Sequence, residues 1–595
     1  KQPVARYFPQ WGATFGSYTY MLADKGFDPK AFEKKTENFF PIHTDIKEGG
    51  WRVVVRPLLD IHLNSHSGDE IEENSSMSRI IIIGSIALFI LLLACINFVN
   101  LSTARSSERA REIGMRKVIG AARSQLVQQF LGESVLFSMA SLLISIITVK
   151  LIMPSFSSLV GTETGLDYYS DWPTMLLILG GVLVVGILAG LYPALFISSY
   201  QPVKVIKGVY SNNSGKNKAS YLRKGLVILQ FSISIILIVG TIIVNLQLRY
   251  LRNYDLGFDK EYMIVLPVHV KVGDNYKTIK NELRSIPGVI SATAGIGAPT
   301  SRNNIGTDCK PNGMSNEIGA FGIEVNSVDY DYMNHFGVKL VAGRYFSEDF
   351  PNDFPNAMVI NEKMVRSLGF KNAQDVIGKS YPLALNGFKP QVIGVIKDFN
   401  SSSLHNEITS QVFMTNPNWF KEFIVKVKSA NMPVTINSLK EVWAKFFPQY
   451  PFEYSFLDES IDKMYKSEER YSKVILTFSI VALFIACLGL LGLASFVTEQ
   501  RKKEIGIRKV QGASIKSIVQ LISNEFLILV IVSNVIAWPV AYFFMNKWLI
   551  SFAYKIDISI WTFIYSGLLA LLIALLTVGF KAVQASLANP VKSLE

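Results

Sequence analysis

Seven stretches of the 595-residue chain are apolar for long enough to cross a bilayer, which takes about 20 mostly apolar residues. They are 80–101, 134–151, 175–197, 225–244, 474–496, 526–544 and 560–578. Between the fourth and fifth the pattern changes. In 249–470, "EYMIVLPV" and "GVISATAGI" have the β-branched, short-period character of strands and flank "YKTIKNELRSI", which has a helical period. A second such unit, "EFIVKVKS", "VTINSLKEVWAKFF" and "FEYSFLD", closes the segment. Two β-α-β units at the ends of one domain predict a split sheet with residues 295–420 inserted between them. The opening segment 1–78 reads in part the same way: "FGSYTYMLADKGFDPKAFEKKTENFF" predicts a strand and then an amphipathic helix. The fold class is therefore an α-helical polytopic membrane protein with α/β domains outside the membrane.

The chain also repeats itself. "REIGMRKVIGAARSQLVQQF" at 111–130 returns as "KEIGIRKVQGASIKSIVQLI" at 503–522, and Glu133 has its counterpart in Glu525. Further on, "SSYQPVKVIKG" from Ser198 matches "SLANPVKSLE" from Ser586. Each unit is one span, a large outer domain and three spans. The parts are the tail of a first outer domain (1–78), a three-span unit (79–200) with a loop at 103–124, and a linker (201–224). A span (225–248), a second outer domain (249–470) and a second three-span unit (471–595) with its loop at 498–522 follow. Repeat logic leads us to expect eight spans and roughly two hundred further N-terminal residues in the intact protein.

Charge fixes the orientation. The net charge is +12, yet the basic residues cluster in one set of loops: around Arg105–Arg123, Lys204–Lys224 and Arg501–Lys516. The alternate loop 152–173 has no Lys or Arg. Basic flanks stay on the cytoplasmic side, which puts the outer domains across the membrane and argues against nucleic acid as a partner. Hydrophobic residues make up 49% of the chain and charged ones 18%, with a mean hydropathy of +0.28, in keeping with a lipid bilayer as solvent. Cys95 and Cys487 lie in spans and Cys309 stands alone outside, so no disulfide framework or CxxC pattern exists. His62 and His66 are four apart without an evident third ligand, and no metal site is expected.

As a helix, the repeated loop gathers Ile113, Met115, Val118, Ile119 and Ala122 on one face and Glu112, Arg116 and Lys117 on the other. Gly120 and Gly512 fall where a helix would stop. We expect it to lie along the cytoplasmic membrane face, apolar side on the spans and charged side toward the cytosol. A loop that only sets topology would explain the charge. It would not explain why the glycines, the glutamate and the isoleucine recur with the Arg-Lys pair. Two copies suit two identical docking partners on a pseudo-twofold membrane unit.

The pattern E-I-G-x-R-K-V-x-G-A between spans resembles the coupling loop of FtsX-like ABC transporter permeases of the MacB kind. "VDYDYMNHFGVKLVAGRYF", "VINEKMVRSLGF" and "VIGVIKDFNSSSLHNEI" resemble the periplasmic core domain of that family, and "RPLLDIHLNS" the end of a first copy of it. The tandem 4+4 arrangement is similar to large two-copy permeases, whereas one-copy chains pair up. The resemblance implies a permease in the bacterial inner membrane with its large domains in the periplasm. It further implies a separate cytoplasmic ABC ATPase, in two copies, that holds ATP and Mg while this chain holds no cofactor. The coupling residues would be Glu112, Gly114, Arg116, Lys117 and Gly120, with Glu504, Gly506, Arg508, Lys509 and Gly512. "GVYSNNSGKN" (208–217) departs from a Walker A loop in glycine spacing and in Asn217, where Ser or Thr would hold Mg.

Such permeases act by mechanotransmission, in which ATPase closure shifts the spans and the outer domains respond. The spans here have few ionisable residues at their middles, as that mode requires less than a conduit would. Glu133 and Glu525 read as carboxylates near helix N-termini at the interface, and Asn97 and Asn100 as interhelical hydrogen-bonders. Export, with a membrane-fusion protein and outer-membrane channel as further partners, ranks first. Lipoprotein release, or regulation of a cell-wall hydrolase or sensor without transport, are the alternatives. Asp398, His405 and Glu407 lie close in sequence, but a polar turn after a strand is the commoner explanation. The chain reads as non-enzymatic.

Overall fold

The computed structural model describes residues 19–39, 42, 53–65, 77–160, 171–198, 215–301, 303, 305–309, 321–350, 352–383 and 389–587, with backbone alone at 78–79, 104–114, 160, 192, 196–197 and 215–220. The linker motif at Pro202–Lys204, its counterpart at Pro590–Lys592, and His66 lie outside the described residues. The chain divides into two bodies, one of residues 82–254 with 465–595 and one of residues 1–81 with 255–464.

The first body is helical. Its helices are α1 (Met77–Val118), α2 (Arg123–Val160), α3 (Trp172–Ser198), α4 (Gly215–Asn253), α5 (Lys466–Gln500), α6 (Lys502–Val510), α7 (Ile515–Leu549) and α8 (Ile560–Leu587). All but α6 are long and apolar enough to cross a membrane, so the seven predicted spans are all present among the described residues. Helices α4, α5, α7 and α8 pack around one core. Phe231, Ile235 and Val239 of α4 meet Leu490 and Ala494 of α5, Phe526 and Val530 of α7, and Ala570, Ala574 and Val578 of α8. The buried stripe of α8 is built from small residues (Ser566, Gly567, Ala570, Ala574, Ala582), which lets backbones approach where lipid offers no hydrophobic drive to associate.

Polar side chains staple this core. Gln230 donates to the Ala486 carbonyl at 3.0 Å, Ser533 Oγ to that of Ile228 at 3.0 Å, and Thr241 meets Ser479 at 2.9 Å. Gln247 donates to the Tyr554 carbonyl and accepts from the Ile556 amide, fixing the loop between α7 and α8. Helices α2 and α3 form a hairpin of their own, in which Ser138 and Ser134 press on Gly186 and Gly190. A Cβ at either glycine would fall 2.7 Å or 2.4 Å from a serine hydroxyl.

The second body is α/β. Strands β1 (Met263–Pro267), β2 (Val289–Gly295), β9 (Glu422–Val427) and β10 (Ser455–Phe456) form a sheet ordered β10-β1-β9-β2, with every neighbour antiparallel. The Tyr276–Ser285 helix joins β1 to β2 and the Met432–Phe446 helix lies between β9 and β10. This is a split β-α-β sheet. Leu283, Leu439, Trp443 and Phe423 fill its core. The segment between β2 and β9 builds a second, six-stranded sheet ordered β3-β4-β8-β6-β7-β5. Its strands are β3 (Ile305–Cys309), β4 (Phe321–Ser327), β5 (Leu340–Gly343), β6 (Ala357–Asn361), β7 (Gln391–Ile396) and β8 (Gln411–Met414).

Charged groups join the two lobes. Glu422, at the start of β9, is buried and accepts from the Ala298 amide at 2.8 Å and from Ser301 and Asn303. Lys280 reaches from the Tyr276–Ser285 helix to Asp329 at 2.6 Å and Asp331 at 3.0 Å. His335 is buried beside them, with Nδ1 2.9 Å from Ser291 Oγ. Burial, reinforced by the charge of Lys426, pushes its imidazole down to about 4. The unfolded chain takes up that proton near pH 6.5, before the native state does. Stability is therefore expected to fall by about 3 kcal/mol as pH drops from about 6.5 to about 4. Buried Glu422, whose carboxyl burial pushes up, acts in the opposite sense at the acid end. Thermal melts of wild type and His335→Gln across that window isolate the histidine: the variant should lack this slope.

One local expectation changes: residues 19–28 hold no strand ahead of the Pro29–Lys35 helix. "LLDIHLN" forms the short helix Leu58–Asn64. Its place just before α1 matches that of the Leu457–Met464 helix before α5, and in both Leu and Asp open the first turn. The polar turn at 398–407 is structural. Asp398 accepts from the Lys363 amide at 2.8 Å and from Arg366 at 2.5 Å, holding the start of the Glu362–Ser367 helix, while Glu407 is exposed and lies 3.9 Å from the Lys363 ammonium.

Candidate coupling loops

The two repeated loops end in the same backbone motif. After α1, Ala121 N–H donates to the Arg116 carbonyl at 3.0 Å and Gly120 N–H to that of Lys117 at 3.2 Å. After α6, Ala513 donates to Arg508 at 2.9 Å and Gly512 to Lys509 at 3.1 Å. Both glycines have positive φ, +106° and +89°. This crossed pair around a left-handed residue closes a helix C-terminus and satisfies its last carbonyls. A Cβ at either glycine would meet open space, so the demand for glycine is conformational. Gly120→Ala and Gly512→Ala should each cost about 1 kcal/mol, and asparagine, which tolerates that region, should cost less. Melting of the purified permease checks both.

Around this turn the side chains keep one arrangement in both copies. Lys117 donates to the Ser198 carbonyl at 2.6 Å and Lys509 to the Ser586 carbonyl at 2.7 Å. Ser198 and Ser586 sit at the C-terminal ends of α3 and α8, where a cation offsets the negative end of the helix dipole. Burial, and then Arg123, lowers the Lys117 ammonium. The lysines thus turn inward and tie each loop to the last helix of its own unit. Nothing in the periodicity showed this role; aligning Ser198 with Ser586 was its signal.

The arginines turn outward. Arg116 is exposed and donates to Gln129 at 3.1 Å, and Arg508 pairs with Glu504 one turn back at 2.9 Å. Glu112 and Gly114 lie in α1, described by backbone alone; their counterparts Glu504 and Gly506 are exposed and buried respectively. Ile505 is buried on the span side. The expected apolar face, however, does not rest on the spans. Met115, Val118 and Ile119 are 60%, 62% and 85% exposed, and Ile507 and Val510 are 50% and 67% exposed. Each loop therefore presents an apolar edge beside an arginine, because closing the turn on its lysine rolls that edge away from the bundle. Beside the first tip lies a shallow depression of about 300 Å³ lined by Arg116, Ile119, Ala121, Gln125, Leu126 and Gln129.

The copies differ upstream. Helix α1 runs unbroken through the first loop, whereas the second interrupts at Arg501 between α5 and α6. Arg501 reaches Glu525 at 2.9 Å, and Lys224 of α4 reaches the same carboxylate at 3.0 Å. Glu525 lies well inside α7, and Glu133 well inside α2, so neither serves a helix N-terminus as expected. Glu525 instead ties α4 and the start of α6 to α7.

Comparison with known proteins places these features. A model of the FtsX-like permease C-terminal domain matches residues 84–202 and again 476–590, and one of the MacB-like periplasmic core domain matches 226–442. The chain belongs to the FtsX-like permeases. Both matches to the permease domain contain a repeated loop. The chain is 30% identical over 134 residues to the macrolide export ATP-binding/permease protein MacB of Bdellovibrio bacteriovorus, covering 22% of this chain and 20% of that protein. It is 34% identical over 132 residues to the uncharacterized ABC transporter permease YknZ of Bacillus subtilis, covering 21% of this chain and 31% of that one. The chain thus spans between a fifth and a third of the length of these relatives. The periplasmic region of MacB from Actinobacillus actinomycetemcomitans aligns with 34% of this chain and 93% of its own, at 16% identity and a TM-score of 0.26. This FtsX-like permease is a multi-pass membrane protein with an α/β outer domain.

Proposed function

We propose that the chain is the permease subunit of an ABC transporter and that its two repeated loops dock two copies of a cytoplasmic ATPase. The observation that carries this is the duplicated tip. The same left-handed glycine turn, inward lysine, outward arginine and exposed apolar edge occur at 115–121 and 507–513. A loop needed only for positive charge has no reason to keep the same apolar edge, turned away from its own helices, in both copies. An apolar centre with an arginine beside it is what a specific protein interface uses.

In this reading ATP and Mg sit on the partner, and hydrolysis there moves the tips. Each tip is tied through its lysine to the end of α3 or α8, so displacement passes into the spans and on to the outer domains, without substrate crossing the helical core. Export from the inner membrane, working with a membrane-fusion protein and an outer-membrane channel, is the favoured task, because the relatives that match include proteins named for macrolide export. The test is co-purification with the ATPase encoded beside the gene, comparing wild type with a variant carrying Glu112→Ala, Arg116→Ala, Glu504→Ala and Arg508→Ala. Loss of binding and of permease-dependent ATP hydrolysis, with the permease still monodisperse, supports docking. Unchanged binding and hydrolysis would reduce the loops to topology signals.

A further inference from the structure

Helices α1 and α5 align without a gap ahead of the repeated loops. "LACINFVNLST" from Leu93 stands over "IACLGLLGLAS" from Ile485, in the register that pairs Glu112 with Glu504. The structure brings these two equivalent helices face to face. Asn97 donates to the Ile485 carbonyl at 2.5 Å. Its Oδ1 lies 1.7 Å from where a Cβ on Gly489 would stand, and Leu101 Cδ2 lies 2.3 Å from the corresponding point on Gly492. Contacts advance together along both helices, so the pair is parallel.

Gly489 is the repeat counterpart of Asn97 itself. Further up, Ile86, Ile90 and Leu93 of α1 share one apolar cluster with Phe478, Ala482 and Ile485 of α5, together with Ile233 and Leu237 of α4. A contact in which a position meets its own equivalent is the mark of a twofold axis. At this crossing the two sides are unlike in size: Asn97 and Leu101 face Gly489 and Gly492.

We propose that this crossing, and above all Asn97 against Gly489, is the specificity determinant that pairs the first half of the chain with its own second half and excludes a second copy of either. Two first halves would set Asn97 against Asn97, where even one added carbon has no room. Two second halves would set Gly489 against Gly489, leaving the crossing unfilled there and the Ile485 carbonyl without the Asn97 donor. Only the mixed pair fills the crossing. A buried asparagine at one seam position is a known means of fixing register and partner in coiled coils. Both repeated loops follow directly from these two helices, so the crossing also sets their spacing. The proposal stands whether or not an ATPase docks there.

The test uses the full chain in nanodiscs with Cys95, Cys309 and Cys487 changed to Ser and a protease site placed between residues 205 and 214. In the Asn97→Cys, Gly489→Cys variant a disulfide should hold the two halves together after cleavage. In two differently tagged copies of the Asn97→Cys chain, co-expressed, no interchain disulfide should form. Gly489→Asn should lower the melting midpoint by about 5 °C or more, and Asn97→Gly with Gly489→Asn should recover to within about 2 °C of wild type by exchanging the roles of the two sides. An interchain 97–97 disulfide, the absence of the 97–489 disulfide, or a double variant no better than Gly489→Asn would each overturn the assignment.

Discussion

Lys280→Ala is expected to cost the outer body about 3–5 kcal/mol, because it leaves a buried carboxylate without its counter-charge. The lysine side chain is 6% exposed and that of Asp329 is 0% exposed, at a separation of 2.6 Å. Burial alone would lower the ammonium, but Asp329 and Asp331 outweigh it and the net direction is upward. Burial also pushes the Asp329 carboxyl up against the pull of Lys280, so the carboxylate depends on that one contact to stay charged. The lysine belongs to the lobe of the split sheet and the aspartates follow β4 of the other lobe. Losing the pair should therefore loosen the lobes from one another as well as destabilise each. Changing Lys280 to Met together with Asp329 to Leu should recover much of the loss, since no charge is then stranded. Pulse proteolysis in urea, following cleavage within 255–464, reads both variants. An alanine variant as resistant as wild type would show that water reaches Asp329.

The second large effect is functional. Val118 and Val510 are exposed and touch no core, so Val118→Asp and Val510→Asp should change stability by less than about 0.5 kcal/mol. If the apolar edges seat on an ATPase, a carboxylate placed there has to be desolvated against an apolar surface. A loss of about 2 kcal/mol per tip, typical of a central interface residue, lowers affinity roughly 30-fold. The double variant should lose ATPase binding and permease-stimulated ATP hydrolysis, while Lys117→Met and Lys509→Met should leave binding intact, because those ammonium groups face helix ends. This contrast separates the docking edge from the charged residues that the motif alone brings forward.

The spans were legible because a bilayer imposes length and apolarity on a contiguous segment, a signal that needs no tertiary context. The split sheet was legible because its two β-α-β units are continuous in sequence, with Leu439 and Trp443 on one helical face and the strands short and β-branched. The loop's outward face was not legible. Ile113, Met115 and Val118 share a helical face, and periodicity assigns such a face to the nearest apolar surface. What decides its direction is the Lys117 contact with Ser198, 81 positions away in sequence. The role of Glu525 was hidden in the same way, since its partners Lys224 and Arg501 come from different helices. Asn97 looked like any interhelical donor until its opposite number proved to be its own repeat equivalent. Sequence periodicity reports faces; only packing reports which neighbour each face meets.

The most direct measurement is the mass of the intact complex of full-length permease and ATPase in nanodiscs, by native mass spectrometry, for wild type, Val118→Asp, Val510→Asp and the double variant. Two docking tips on one chain should give two ATPases bound to wild type, one to either single variant, and none to the double. Two ATPases still bound to the double variant would contradict the assignment of the repeated loops as the docking sites.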